Sequence, residues 1–244
     1  MTIQITRQAV LCVLVAALAL GAGCQTASSR KTETHTTELY APLTGVMRLE
    51  IATDIGDITV KSADTDQCQI VARVSAQACT EGKAGALAEK VPVSVTSLGN
   101  VLRISVLSPS VFGVNPYHID LTIVAPRNLE LDCRTEVGDI LTAGFDKEVA
   151  VRTNVGNILC TDLRAGTQLH TDVGDIRAVY EDTAPAAVHA EMTTGVGSIA
   201  LEGPARIFFL VRALGGLQCL KKGGAFQVSK GYRVLRKAGG GRGS

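Results

Sequence analysis

Nearly the same eight residues recur five times along this chain, which constrains its fold more than any single side chain does. The copies are 53–60 (TDIGDITV), 135–142 (TEVGDILT), 153–160 (TNVGNILC), 171–178 (TDVGDIRA) and 194–201 (TGVGSIAL). The starts Thr135, Thr153 and Thr171 lie 18 residues apart, and the next start follows after 23. A regular period of this size marks a stacked architecture in which each unit buries its apolar face only against its neighbours.

Aligned on their Thr, the copies form columns. Two residues before the Thr stand Ile51, Cys133, Val151, Leu169 and Met192; two residues after it stand Ile55, Val137, Val155, Val173 and Val196. Apolar residues at alternate positions predict a strand with one buried face, so both columns and the Thr between them are expected to point inward. The Thr hydroxyls are then expected to hydrogen-bond to one another along the stack. Three positions after the Val column come Ile58, Ile140, Ile158, Ile176 and Ile199, which breaks the parity of a straight strand. The shared Gly followed by Asp, Asn or Ser supplies a corner, because Gly accepts positive φ and Asx bonds its own backbone. Outside the core, two acidic columns, one through Glu136 and Asp172 and one through Asp139 and Asp175, are interrupted in the middle copy by Asn154 and Asn157 respectively. That interruption limits repulsion between rungs about 4.8 Å apart and reads as a tuned structural ladder. Ca²⁺ on Asp139 and Asp175 is the alternative, but the nine-residue, paired-glycine repeat of Ca²⁺-binding β-helices is missing.

Between the first two copies, Val71–Ala78 and His118–Val124 read as strands and Glu81–Lys90 as one short helix. Val91–Thr96 and Val101–Leu107 alternate as a hairpin around Ser97-Leu98-Gly99-Asn100. The expected fold is all-β: a single-stranded β-solenoid, β-helix-like, with coils of about 18–23 residues, closed at its N-terminal end by an antiparallel β cap with one short helix. Residues 39–126 would hold the cap and first repeat, 127–204 the solenoid, and 205–244 a degenerate basic C-terminal repeat, in which Arg212–Leu217 is a faded sixth copy.

The first 23 residues read as a signal peptide of the lipoprotein type. Ala9–Leu20 is apolar but shorter than the roughly 20 residues a membrane-spanning helix needs. It ends in Gly21-Ala22-Gly23-Cys24, which resembles a lipobox, with Cys24 as the lipidated residue. Residues 24–38, rich in Thr and Ser, are expected to be a flexible tether. Gln25 behind the cysteine favours the outer membrane, so the expected location is the cell envelope, as an outer membrane lipoprotein facing the periplasm or the surface. Such a location excludes nucleic acid as a partner.

Cys133 and Cys160 fall in aliphatic columns and read as small buried hydrophobes. Cys68 and Cys79 sit at opposite ends of one strand, too far apart to bridge. With Cys219, five cysteines remain for the mature chain, so at least one is unpaired. Trp is absent and aromatics make up 4% of residues, leaving little material for sugar-stacking platforms. From Gly203 onward there is no acidic residue, while Lys221 and Lys222 head a basic segment suited to anionic envelope surfaces. A second basic set, Arg134, Arg152 and His170, shares one outward column.

The motif Thr-x-Val-Gly-Asp-Ile, the strand ending Leu121-Thr-Ile-Val-Ala-Pro126 and the opening Ile55-Gly-Asp-Ile-Thr-Val60 together resemble the putative-adhesin, β-strand-repeat family of bacterial envelope proteins, a domain of unknown function. The likeness runs over roughly Leu39–Leu201. It implies a β-solenoid in the cell envelope and carries no catalytic residues.

Catalytic patterns are weak. Six-residue spacing invites comparison with hexapeptide acyltransferases, yet Thr161 and Thr167 fall on core positions of that scheme and the 23-residue step is no multiple of six. A β-helix enzyme acting on envelope or extracellular polysaccharide would need paired carboxylates gathered at one place, whereas here the repeat spreads them. His118-x-Asp120 and His189-x-Glu191 are metal-like pairs in form only, and no Gly-x-Ser-x-Gly elbow or phosphate-cradling loop occurs. The expectation is therefore a non-catalytic lipoprotein, without cofactor or metal, serving as an adhesin or a binding or structural scaffold. Its partners are the membrane, through the lipid on Cys24, and an envelope glycan, lipopolysaccharide or protein met by Arg134, Arg152, His170, Lys221 and Lys222.

Overall fold

A computed structural model describes residues 30–107, 117–185, 188–204, 208–213 and 217–222, the last two segments as backbone. Cys24, Cys12 and the signal segment lie outside the described residues. The described residues open with β1 (Lys31–Pro42), β2 (Arg48–Ile55), β3 (Ile58–Ser62) and β4 (Gln67–Ala78), then a helix, α1 (Glu81–Ala88). A hairpin, β5 (Val93–Leu98) and β6 (Val101–Val106), and β7 (Tyr117–Ala125) follow. The repeats then alternate: β8 (Glu130–Val137), β9 (Ile140–Ala143), β10 (Val149–Val155), β11 (Ile158–Leu163), β12 (Thr167–Val173), β13 (Ile176–Tyr180), β14 (His189–Val196), β15 (Ile199–Pro204), β16 (Phe208–Ala213) and β17 (Leu217–Lys222).

These strands form two mixed sheets around one core. The nine-stranded sheet runs β1-β4-β7-β3-β9-β11-β13-β15-β17, and the eight-stranded sheet runs β16-β14-β12-β10-β8-β2-β6-β5. Each motif copy places its first strand in the eight-stranded sheet and its second in the nine-stranded one, and successive copies pair in parallel register. Thus Thr135, Thr153, Thr171 and Thr194 align, as do Ile140, Ile158, Ile176 and Ile199. The backbone register of β16 and β17 continues both rows, placing Ala213 opposite Thr194 and Leu217 opposite Ile199, so the sixth copy takes its place in the stack.

The architecture corrects the expected single-stranded solenoid with a separate cap. The strands lie in sheets, and the antiparallel ones are members of those same sheets: β1 and β4 extend the nine-stranded sheet through β7, and β5 extends the eight-stranded sheet through β6. Backbone pairing explains the outcome, since β7 pairs in parallel with β3 on one side and antiparallel with β4 on the other. The hairpin turns at Gly99, whose φ is 62°. The Thr80 hydroxyl caps α1 by accepting from the Lys83 amide. Residues 31–38, expected as tether, form most of β1, paired with β4 from Lys31 opposite Ala78 to Pro42 opposite Gln67.

The corner of each copy differs from the expected one in two respects. The Thr side chains are buried, but their hydroxyls donate to the Gly carbonyl of the neighbouring copy: Thr135 to Gly56, Thr153 to Gly138, Thr171 to Gly156 and Thr194 to Gly174, at 2.8–3.3 Å. Thr53, first in the column, has no Gly before it in the stack, and its hydroxyl finds no partner among the described residues. The valine column is superposed as expected but points outward. Val137, Val155, Val173 and Val196 are 46–64% exposed, because the inward face ends at the Thr.

Two further columns hold the corner together. Gly138, Gly156, Gly174 and Gly197 have φ of 150–153°, and a Cβ on any of them would lie 1.9–2.1 Å from the carbonyl oxygen of the preceding Gly. Next to them, each Asx side chain accepts the backbone N–H one rung on: Asp57 from Asp139, Asp139 from Asn157, Asn157 from Asp175 and Asp175 from Ser198, at 2.7–2.9 Å. The Asx column is thus a hydrogen-bonded ladder, in keeping with the structural reading of these acids.

Candidate binding face on the eight-stranded sheet

Strand alternation sends every second side chain of β10, β12, β8 and β2 outward, where parallel register aligns them into two polar columns. One column reads Arg103, Glu50, Asp132, Ala150, Gln168, Glu191; the next reads Ser105, Ala52, Arg134, Arg152, His170, Thr193. The sequence-predicted set of Arg134, Arg152 and His170 is brought together on adjacent rungs. Lys221 and Lys222 are not with them: their backbone ends β17 in the other sheet, and their side chains lie outside the described residues.

Most charges on this face are already committed. Arg134 clasps Asp132 with two bonds, Nε to Oδ1 at 3.0 Å and Nη2 to Oδ2 at 2.9 Å, and Arg48 adds a third at 2.8 Å. Asp132 is 5% exposed. Burial alone would push its carboxyl up, but the bonds and charges of Arg134 and Arg48 outweigh that and hold it below its ordinary value. Arg103 chelates Glu50 at 2.8 and 3.0 Å, Gln168 donates to Glu148 at 2.8 Å, and His170 Nε2 meets Asp172 Oδ1 at 3.1 Å.

Among the described cations of this face, Arg152 is the exception. Exposed at the middle of its column, it makes no hydrogen bond or ion pair with any described residue. Two shallow depressions, of about 210 and 220 Å³, meet at Arg152 and Gln168; one runs toward Arg134 and Glu130, the other toward His170 and Glu191. Sequence reasoning found the cations but missed Asp132, Arg48, Glu50 and Arg103. The signal for the first was present, since Asp132-Cys133-Arg134 puts acid and base on one strand face. The others depend on which strands become neighbours, which no local pattern states.

The four cysteines with described side chains play no part in this face, and the side chain of Cys219 lies outside the described residues. Cys68, Cys133 and Cys160 are buried and free, and burial pushes the Cys68 and Cys160 thiols up to about 12, so all three are inert packing groups. Cys79 is free and exposed at the start of α1. Among the described residues no helix is long and apolar enough to cross a membrane.

No protein-family model matches the chain, and no curated protein matches it by sequence. Solved structures do resemble it. A putative cell adhesion protein from Clostridium sporogenes is similar over 78% of this chain and 100% of its own, with 10% identity and a TM-score of 0.48. A putative adhesin from Bacteroides fragilis is similar over 80% of this chain and 96% of its own, with 16% identity and a TM-score of 0.46. A putative lipid binding protein from Parabacteroides distasonis is similar over 80% of this chain and 78% of its own, with 15% identity and a TM-score of 0.46.

Proposed function

We propose that the chain is a non-catalytic cell-envelope lipoprotein that binds the acidic groups of an envelope glycan along the outer face of its eight-stranded sheet. The observation that carries this reading is Arg152, a guanidinium with no described protein partner at the meeting point of two depressions. Its planar fork of N–H donors matches a carboxylate or phosphate bidentately, while Gln168 and His170 offer further hydrogen bonds to sugar hydroxyls. Two acids of this face, Asp132 and Glu50, are neutralised by Arg48, Arg103 and Arg134, while Glu130, Glu148 and Glu191 also line the two depressions. The same pairing speaks against the alternative of a polysaccharide-cleaving enzyme, because a carboxylate clamped by arginines is a poor proton donor. Anchorage at the outer membrane through Cys24 would place the face among such glycans.

The test is retention of the protein on immobilised lipopolysaccharide and on an array of uronate-bearing glycans. Arg152→Ala is expected to weaken retention on at least one of them about tenfold, the scale of one lost charge-assisted bidentate contact, with Arg152→Lys intermediate. Equal retention of wild type and Arg152→Ala, or none by either on both supports, contradicts the reading.

A further inference from the structure

The other sheet carries a cluster that the glycan reading does not use. Three His-x-acid pairs lie on strands of this protein: His118-x-Asp120, His170-x-Asp172 and His189-x-Glu191. Residues two apart on a strand share a face, so each pair offers an imidazole and a carboxylate side by side. In the first, His118 Nε2 stands 2.9 Å from Asp120 Oδ1; in the second, the corresponding distance is 3.1 Å. What distinguishes the first pair is its neighbour. Because β7 runs parallel beside β3 with Leu121 opposite Ile58, Asp57 of the first motif copy falls beside Asp120. One ligand atom from each of Asp57, His118 and Asp120 then lies within 4.8 Å of the others. Beside Asp172 the flanking rungs present Asn154 and Gly195, so no third charged ligand joins the second pair.

A second observation concerns the Asx ladder. From Asp57 onward every member accepts the backbone N–H of the next rung. Asp120 occupies the register position one rung before Asp57, yet its carboxylate accepts no backbone N–H from Asp57; among the described residues its partner is His118. Two like charges therefore sit one rung apart without the amide that separates them elsewhere, and an imidazole leans over the pair. Asp57 uses one oxygen on Asp139 and keeps the other.

The geometry points to a three-ligand site for a divalent transition ion of the Zn²⁺ type, formed by Asp57, His118 and Asp120. One imidazole nitrogen and two carboxylate oxygens suit borderline ions better than Ca²⁺ or Mg²⁺, which prefer all-oxygen sets. Three protein ligands on an exposed corner leave a fourth position to water. The ion ties β7 to β3, where antiparallel strands meet the parallel repeats. Arg73, opposite Asp120 on β4, is the nearby cation that opposes binding.

The test is calorimetric titration of the full chain with Zn²⁺ alone, in a Cys79→Ser background so that the exposed thiol does not compete, with thermal unfolding in Zn²⁺ and in chelator. One equivalent is expected to bind and to raise the unfolding temperature. His118→Gln and Asp120→Asn are each expected to weaken binding about tenfold or more, the scale of a lost ligand interaction, while leaving the chelated protein's unfolding temperature unchanged. His170→Gln is expected to leave the Zn²⁺ affinity unchanged. Binding that survives His118→Gln, or depends equally on His170, or fails to saturate at millimolar Zn²⁺, overturns the assignment.

Discussion

Gly156 tolerates no side chain, for two separate reasons: its φ is 151°, and a Cβ would stand 2.0 Å from the Gly138 carbonyl oxygen. Gly156→Ala is expected to cost about 3 kcal/mol or more, since strain and overlap act together; chemical denaturation checks this. Asp132 supplies a pH dependence. Its carboxyl is held below its ordinary value in the folded protein, so its contribution is complete above the unfolded Asp range of about 4 and is lost as pH falls through the lower, folded value. Arg134→Met removes the two-bonded partner, and its acid-unfolding midpoint is expected at higher pH than wild type; an unchanged midpoint would show that the clasp contributes nothing. At this scale the sequence revealed the inward Thr, Ile and aliphatic columns correctly. It misled at the valines. Three positions separate Val155 from Ile158, and a Gly-Asx corner accounts for that parity break on paper, whereas the inward face of β10 already ends at Thr153, whose hydroxyl is fixed to the Gly138 carbonyl.

The Asx column behaves as an element of its own, a side-chain ladder running beside the nine-stranded sheet. Asn157 sits between Asp139 and Asp175, accepting from one backbone and donating its own amide to the other's side chain. Asn157→Asp keeps the acceptor but sets four carboxylates, those of residues 57, 139, 157 and 175, on adjacent rungs about 4.8 Å apart. Its stability is expected to fall at low ionic strength and to recover as salt screens the repulsion, whereas Asn157→Ala loses the acceptor and is not rescued by salt. Denaturation curves at low and high salt separate the two. Regular elements were mostly readable: the hairpin around Gly99, the short helix and the strand closed by Pro126 all follow local patterns. β1 was not, and the cause is physical. It is an edge strand with alternate residues exposed and the others half-buried along nearly its whole length, so it carries no hydrophobic period and is held by backbone pairing with β4.

For the whole molecule, the repeat announced stacking but not the sheet order, because partners of β4, β6 and β7 lie far along the chain. The binding face inherits that limit: Arg134, Arg152 and His170 share a column by period alone and Asp132 sits two residues from Arg134, while Arg48, Glu50 and Arg103 join them from β2 and β6 through topology. The same stack leaves a valine ridge on the outside, flanked by Glu136 and Asp172 on one side and Asp139 and Asp175 on the other. What everything else requires is that each copy turns its Thr into the core and its Val out of it. Equilibrium unfolding of Thr153→Lys beside Val155→Lys measures this most directly. Thr153→Lys is expected to lose several kcal/mol or fail to fold, because a charge enters a core position 1% exposed. Val155→Lys, at a position 47% exposed, is expected to stay within about 0.5 kcal/mol of wild type. Comparable damage from both substitutions, or greater damage from Val155→Lys, would contradict the account.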